Sequence, residues 1–103
     1  MQHALEASLD ATLRDHGISL AQLEVMVVLD DHPNHHAAAI ARILGVRRQT
    51  VHDLLRQLHR AHHVGLLPKQ EGLRGAYFTP PGRRIADDAF ASIQPILEGL
   101  IRR

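Results

Sequence analysis

The chain has 103 residues, a formal net charge of +1 and no cysteine, which leaves room for one domain with a modest core and excludes disulfides and thiolate metal sites. No apolar run is long enough to cross a bilayer, and the first residues lack the basic-then-apolar order of a secretion signal, so the default expectation is a cytoplasmic protein with no membrane partner. The small total conceals a balance of +7 from Arg42 to Arg84, where nine Arg or Lys stand against Asp53 and Glu71, between a segment of −5 before it and one of −1 after it; a polyanion is the partner such a middle attracts.

Leu5, Leu9 and Leu13 recur at helical spacing, predicting a first helix over residues 3–15 that ends at His16 and Gly17. Ser19 and Gln22 have the spacing of a capping box, and Ile18 before the cap is placed to pack on Leu23 as a hydrophobic staple. The run Val25, Val27, Val28 would also suit a strand, but the capping signal decides for a dense core helix that breaks at Asp30-Asp31-His32-Pro33. A short helix is expected from Pro33 or Asn34, burying Ala37, Ala38, Ile40, Ala41 and Leu44, with small alanines that let a crossing helix approach closely. Gly45 supplies the turn. Val51, Leu54, Leu55 and Leu58 then line one side of a further helix and leave Arg48, Gln49, His52, Asp53, Arg56 and Gln57 on the other, so the pair reads as a helix-turn-helix.

After His62 a hairpin is expected: Val64–Leu67 and Ala76–Thr79 as strands, with residues 68–75 as a loop carrying Lys69, Glu71 and Arg74. The last helix is expected to be capped by Thr79 or to begin near Pro81, with Ile85, Ala89, Phe90, Ile93, Ile96 or Leu97, and Leu100 along one side. Pro95 should bend or divide it. The fold class is therefore mainly α with a small β-hairpin.

The segments ISLAQLEVMVVLDD (18–31), AAAIARILGVRRQTVHDLLRQL (37–58) and YFTPPGRRIA (77–86), in this order and spacing, resemble the multiple antibiotic resistance regulator (MarR) family of winged helix-turn-helix transcription regulators. The resemblance implies one winged-helix domain over 1–103 that binds double-stranded DNA as a homodimer, most simply a repressor, with 1–16 and 83–103 as dimerisation helices and a small aromatic effector as a possible family ligand. It assigns base or phosphate contacts to Arg47, Arg48, Gln49, Thr50, His52 and Arg56, and wing contacts to Lys69 and Arg74. This chain departs from the pattern in three places. Arg47 stands where a capping Ser or Thr commonly opens the recognition helix, His62 replaces a glycine often found after it, and the wing and flanking helices are short.

Arginine can offer paired donors to guanine O6 and N7, and glutamine can pair with adenine N6 and N7. Arg48 and Gln49 are therefore the expected base readers, with His52 nearby, and Arg47, Thr50 and Arg56 the phosphate ligands. Asp53 is the awkward member, suited to orienting Arg56 or Gln57, accepting from a cytosine, or repelling nonspecific DNA. Dimerisation is expected on Leu5, Leu9, Leu13, Phe90, Ile93, Leu97 and Leu100, and Tyr77 and Phe78 are the aromatic candidates beside a fold junction.

Two histidine clusters, His32–His35–His36 and His59–His62–His63, could present imidazoles to a metal, but no carboxylate completes a recognised motif, and no cofactor or metal is expected. Protonation near His52 or His59 would add positive charge for DNA. An enzyme is not indicated: there is no glycine-rich phosphate loop and no nucleophile elbow, Ser8, Ser19 and Ser92 lack a paired base, and Asp30-Asp31 and Asp87-Asp88 suit helix ends. The competing reading is a winged helix retained as a protein-interaction module or an antagonist of another regulator, which the concentration of arginine on one helix disfavours.

Overall fold

The computed structural model describes residues 2–101. Five helices and one hairpin follow in the order α1 (Gln2–Arg14), α2 (Leu20–Asp31), α3 (Ala37–Leu44), α4 (Arg48–Arg60), β1 (Val64–Leu66), β2 (Ala76–Phe78) and α5 (Pro80–Ile101). The core centres on α2, which touches α1, α3, α4 and α5 and buries Leu23, Val25, Met26, Val28 and Leu29. Its β-branched run is helical because the N-terminus is fixed on both counts: the Ser19 hydroxyl accepts from the Gln22 amide at 3.1 Å, and the Gln22 side chain accepts from the Ser19 amide at 3.0 Å. Ile18 and Leu23, the two members of the staple, are both buried.

Two boundaries differ from the sequence expectation. The third helix begins at Ala37, not at Pro33 or Asn34, because Asn34 adopts a left-handed backbone (φ 66°) that cannot enter a helix and His36 takes the cap, its Nδ1 accepting from the Ala39 amide at 3.3 Å. Pro95 does not divide the last helix, which continues to Ile101. Removing one amide leaves the remaining ladder intact, and Pro95 lies on the exposed side while buried Ile93 and half-buried Ile96 and Leu97 hold the helix against the core.

The dimerisation set divides in the same way. Leu9, Leu13 and Ile93 are consumed by the chain's own core, where α1 packs against α5, whereas Phe90 and Leu100 stay exposed.

The hairpin pairs Val64 with Phe78, Gly65 with Tyr77 and Leu66 with Ala76 in antiparallel register. Each strand is one residue shorter than expected. Beyond them the Leu67 amide still donates to the Gly75 carbonyl at 2.8 Å, and then Gln70 and Leu73 exchange two backbone bonds around Glu71 and Gly72, both at positive φ. That is a type I′ tip. The register slips by one between these pairs, so Pro68 and Lys69 together oppose Arg74, a bulge at a proline that has no amide to pair.

Candidate nucleic-acid interface

Gly45 ends α3 at φ 71°, where a Cβ would be strained, and the chain turns through Val46 and Arg47 directly into α4. Val51, Leu55 and Leu58 bury one side of α4 against α2 and α3. The opposite side has no packing duty: Arg48, Gln49, Thr50, His52, Asp53, Arg56 and Gln57 are all exposed, as is Arg47 at the helix start. Arg47 occupies the N-cap with extended backbone and makes no side-chain cap bond. The first amides of α4 therefore lack a side-chain acceptor, and exposed Arg47 and Arg48 belong to the same turn, an electropositive end that an anion would satisfy.

Four of the candidate side chains are not independent. Gln49 Nε2 donates to Asp53 Oδ1 at 3.0 Å, Arg56 reaches the same oxygen at 3.4 Å, and the Arg56 guanidinium contacts His52 Nδ1 at 3.2 Å. An arginine has only donors, so His52 Nδ1 is the accepting atom in this contact. The Arg56–Asp53 pair is half exposed and long, worth at most about 1 kcal/mol, so Arg56 is free to exchange it for a phosphate. Gln57 is engaged elsewhere, accepting from Gln22 Nε2 at 2.9 Å and tying α4 to α2. Asp53 thus orients Arg56, as its spacing suggested, but its second partner is Gln49 rather than Gln57.

The wing is fastened to the same unit. His36 bridges Gly75, and the Ala76 amide donates to the His35 carbonyl at 3.2 Å. A Cβ on Gly75 would lie 2.3 Å from the Asn34 carbonyl oxygen, so only glycine allows this approach. Lys69 and Arg74 are exposed on the hairpin beyond the anchor.

Arg83, by contrast, is structural. Its guanidinium pairs with Asp30 at the end of α2 and lies 4.4 Å from the centre of the Phe78 ring, and the hydrogen bond to Asp30 raises its pKa above the ordinary arginine value. Among the described residues, carboxylates pair only with Arg83 and Arg56, so Arg47, Arg48, Lys69 and Arg74 have no ion-pair partner there.

A sequence-family comparison adds the decisive observation: residues 16–68, just over half of the chain, match the model of the MarR family. The chain belongs to the MarR family. Solved structures agree on the fold. The Staphylococcus aureus MepR–DNA complex superposes with a TM-score of 0.88 at 20% identity, covering 99% of this chain and 76% of that one. The Mycobacterium tuberculosis regulator MosR in complex with DNA gives 0.84 at 19%, covering 96% and 73%. A MarR family transcriptional regulator from Streptomyces coelicolor gives 0.86 at 24%, covering 99% and 73%. No curated protein matches by sequence.

The winged helix-turn-helix of this MarR-family chain places it among transcription regulators, not enzymes. Among the described residues no three His, Asp or Glu side chains gather to hold a metal, and no helix is long and apolar enough to cross a membrane. The histidines have local duties instead. His36 caps α3, His59 Nδ1 lies 3.2 Å from the Val64 carbonyl, and the His32 and His35 rings meet at 4.9 Å. His62 ends α4 in a left-handed conformation, φ 64°.

Tyr77 and Phe78 serve packing. The Tyr77 ring covers Gly65, whose absent Cβ would meet it at 2.2 Å, and Phe78 supports Arg83. Both border a recess of about 250 Å³ with Leu29, Pro33 and Pro80, smaller than the roughly 300 Å³ where small-molecule sites begin.

Proposed function

We propose that this MarR-family chain is a sequence-specific double-stranded-DNA-binding regulator that acts in the cytoplasm as a homodimer and represses by occupying its operator. One observation carries the reading: the exposed face of α4 concentrates unpaired arginine at an uncapped helix N-terminus, on a unit whose wing is fastened through His36 and Gly75. MepR and MosR, which share this fold, are each known in complex with DNA, which supports DNA as the partner. In this reading Arg48 and Gln49 meet base edges in the major groove, with His52 nearby. Arg47, Thr50 and Arg56 meet phosphate, and Lys69 and Arg74 follow the adjoining backbone or minor groove. Phe90, Leu100 and half-buried Leu5 and Leu97 are among the apolar groups of the terminal helices left for a second copy, which sets two recognition helices about 34 Å apart along the duplex.

The test is selection of bound sequences from genomic fragments, followed by a salt series on the best duplex. A recurring, two-fold-symmetric sequence is expected, and Arg48→Ala should weaken it by about 1–3 kcal/mol while affecting a scrambled duplex less. Replacing Lys69 and Arg74 together should lower the salt slope by about two per protomer. Equal weakening of cognate and scrambled duplexes by Arg48→Ala would remove the base-reading role, and absence of any recurring sequence would favour a protein-interaction module.

A further inference from the structure

We propose that Asp53 is a positioning residue that fixes the orientation of the Gln49 amide and thereby makes it select adenine over guanine, an inference that rests on the DNA-binding reading above. Asp53 sits one helical turn after Gln49 on the exposed face of α4, and its carboxylate can only accept. The amide facing it must therefore present nitrogen, as the 3.0 Å bond from Nε2 to Oδ1 shows. A half-turn of the amide would set its carbonyl oxygen against the carboxylate, so the opposite orientation is disfavoured by electrostatic repulsion.

The consequence lies in what the locked amide still offers. One Nε2 hydrogen is committed to Asp53, while Oε1 has no hydrogen-bond partner among the described residues. The free edge is thus one acceptor beside one donor. Adenine presents the complement in the major groove, a donor at N6 and an acceptor at N7, whereas guanine presents two acceptors, O6 and N7. A locked Gln49 would set its carbonyl oxygen against guanine O6. Released from Asp53, the amide could turn and offer both nitrogen hydrogens to those acceptors. The same Oδ1 also holds Arg56, whose guanidinium contacts His52 Nδ1 at 3.2 Å.

The experiment is selection from a random duplex library with wild type, Gln49→Ala, Asp53→Ala, Asp53→Asn and the Gln49→Ala/Asp53→Ala double variant. Asp53 is exposed and alanine is the better helix former, so each variant should keep the wild-type circular dichroism spectrum and melting transition. Wild type should show a base pair in each half-site with adenine preferred by about 5- to 150-fold, the worth of one paired contact. Gln49→Ala should flatten that position, and Asp53→Ala should admit guanine at the same position while leaving the others unchanged. Asp53→Asn, whose amide can donate as well as accept and so no longer excludes the turned orientation, should also admit guanine, and the double variant should discriminate no worse than Gln49→Ala alone. Retention of full adenine preference by Asp53→Ala or Asp53→Asn, or relaxation at a different position, would overturn the proposal. A wild-type selection with no recurring sequence would overturn the DNA-binding reading itself, and this proposal with it.

Discussion

Replacing His62 by glycine should stabilise the protein. The end of α4 forms a Schellman cap: the His63 amide donates to the Leu58 carbonyl at 2.9 Å and the His62 amide to the His59 carbonyl at 3.0 Å. Closing it requires His62 at φ 64°, which costs a residue with a Cβ about 1–2 kcal/mol. Glycine escapes that cost but returns freedom to the unfolded chain, an opposing contribution of about 0.4–1 kcal/mol. The net gain is then about 0.5–1 kcal/mol, or a rise in Tm of about 2–8 °C for a domain of this size. The exposed His62 ring makes no hydrogen bond among the described residues, so His62→Ala, which keeps the backbone cost, should change little and serves as the control. Thermal and urea denaturation followed by circular dichroism at one fixed protomer concentration would measure both, because association alters apparent stability. A glycine variant no more stable than the alanine variant would refute the backbone argument.

Gly82→Ala should be strongly destabilising, by about 3 kcal/mol or more, because its Cβ would fall 1.7 Å from the His63 carbonyl oxygen where α5 begins against the α4–β1 turn; Gly99→Ala, in open space on the same helix, should instead gain about 0.5–1 kcal/mol, and urea midpoints of the two would separate collision from composition. Burial, with His62 adding a smaller repulsion, holds the His63 imidazole below the ordinary histidine value, and its Nδ1 is buried without a partner. The unfolded chain therefore takes up the proton first, and stability should be fully present above about pH 6.5 and fall as acid is added through and below that value. His63→Gln should flatten this slope in denaturation midpoints measured from pH 8 to 5, and an unchanged slope would assign it to other groups.

Most of the scaffold was legible because its signals are local. The capping box at Ser19 and Gln22, the glycine at 45 and the three- and four-residue spacing of Val51, Leu55 and Leu58 each act within one or two turns of chain. His62 was legible too, as the replacement of an expected glycine, and its positive φ gives that departure a physical cost. The start of α3 was not, since nothing in Pro33-Asn34-His35-His36 announces that a histidine ring will cap the helix. Among the site residues, exposure of the α4 face followed from amphipathicity, and of the two partners offered for Asp53 it holds Arg56; Gln57 lies at the right spacing yet is claimed by Gln22, 35 residues away, and the second partner is Gln49. The assignment of Leu9, Leu13 and Ile93 to a dimer failed for a similar reason, because a helical stripe does not say whether it meets its own chain or another.

The same distinction sorts the cations of the +7 segment. Sequence counts Arg83 with Arg47 and Arg48, but the charge of Arg83 is answered inside the molecule by Asp30 and by the face of Phe78, so it joins α2, β2 and α5. Arg47 and Arg48 sit where the backbone amides are also unanswered, and Lys69 and Arg74 flank a wing whose root is tied by His35, His36 and Gly75 to the start of α3. Because α3 runs through the Gly45 turn into α4, helix and wing are fixed to one another by backbone hydrogen bonds and core packing, not by the charged groups themselves. The scaffold can therefore hold this excess of positive charge without needing to neutralise it, which is the condition under which neutralisation by a polyanion becomes binding energy.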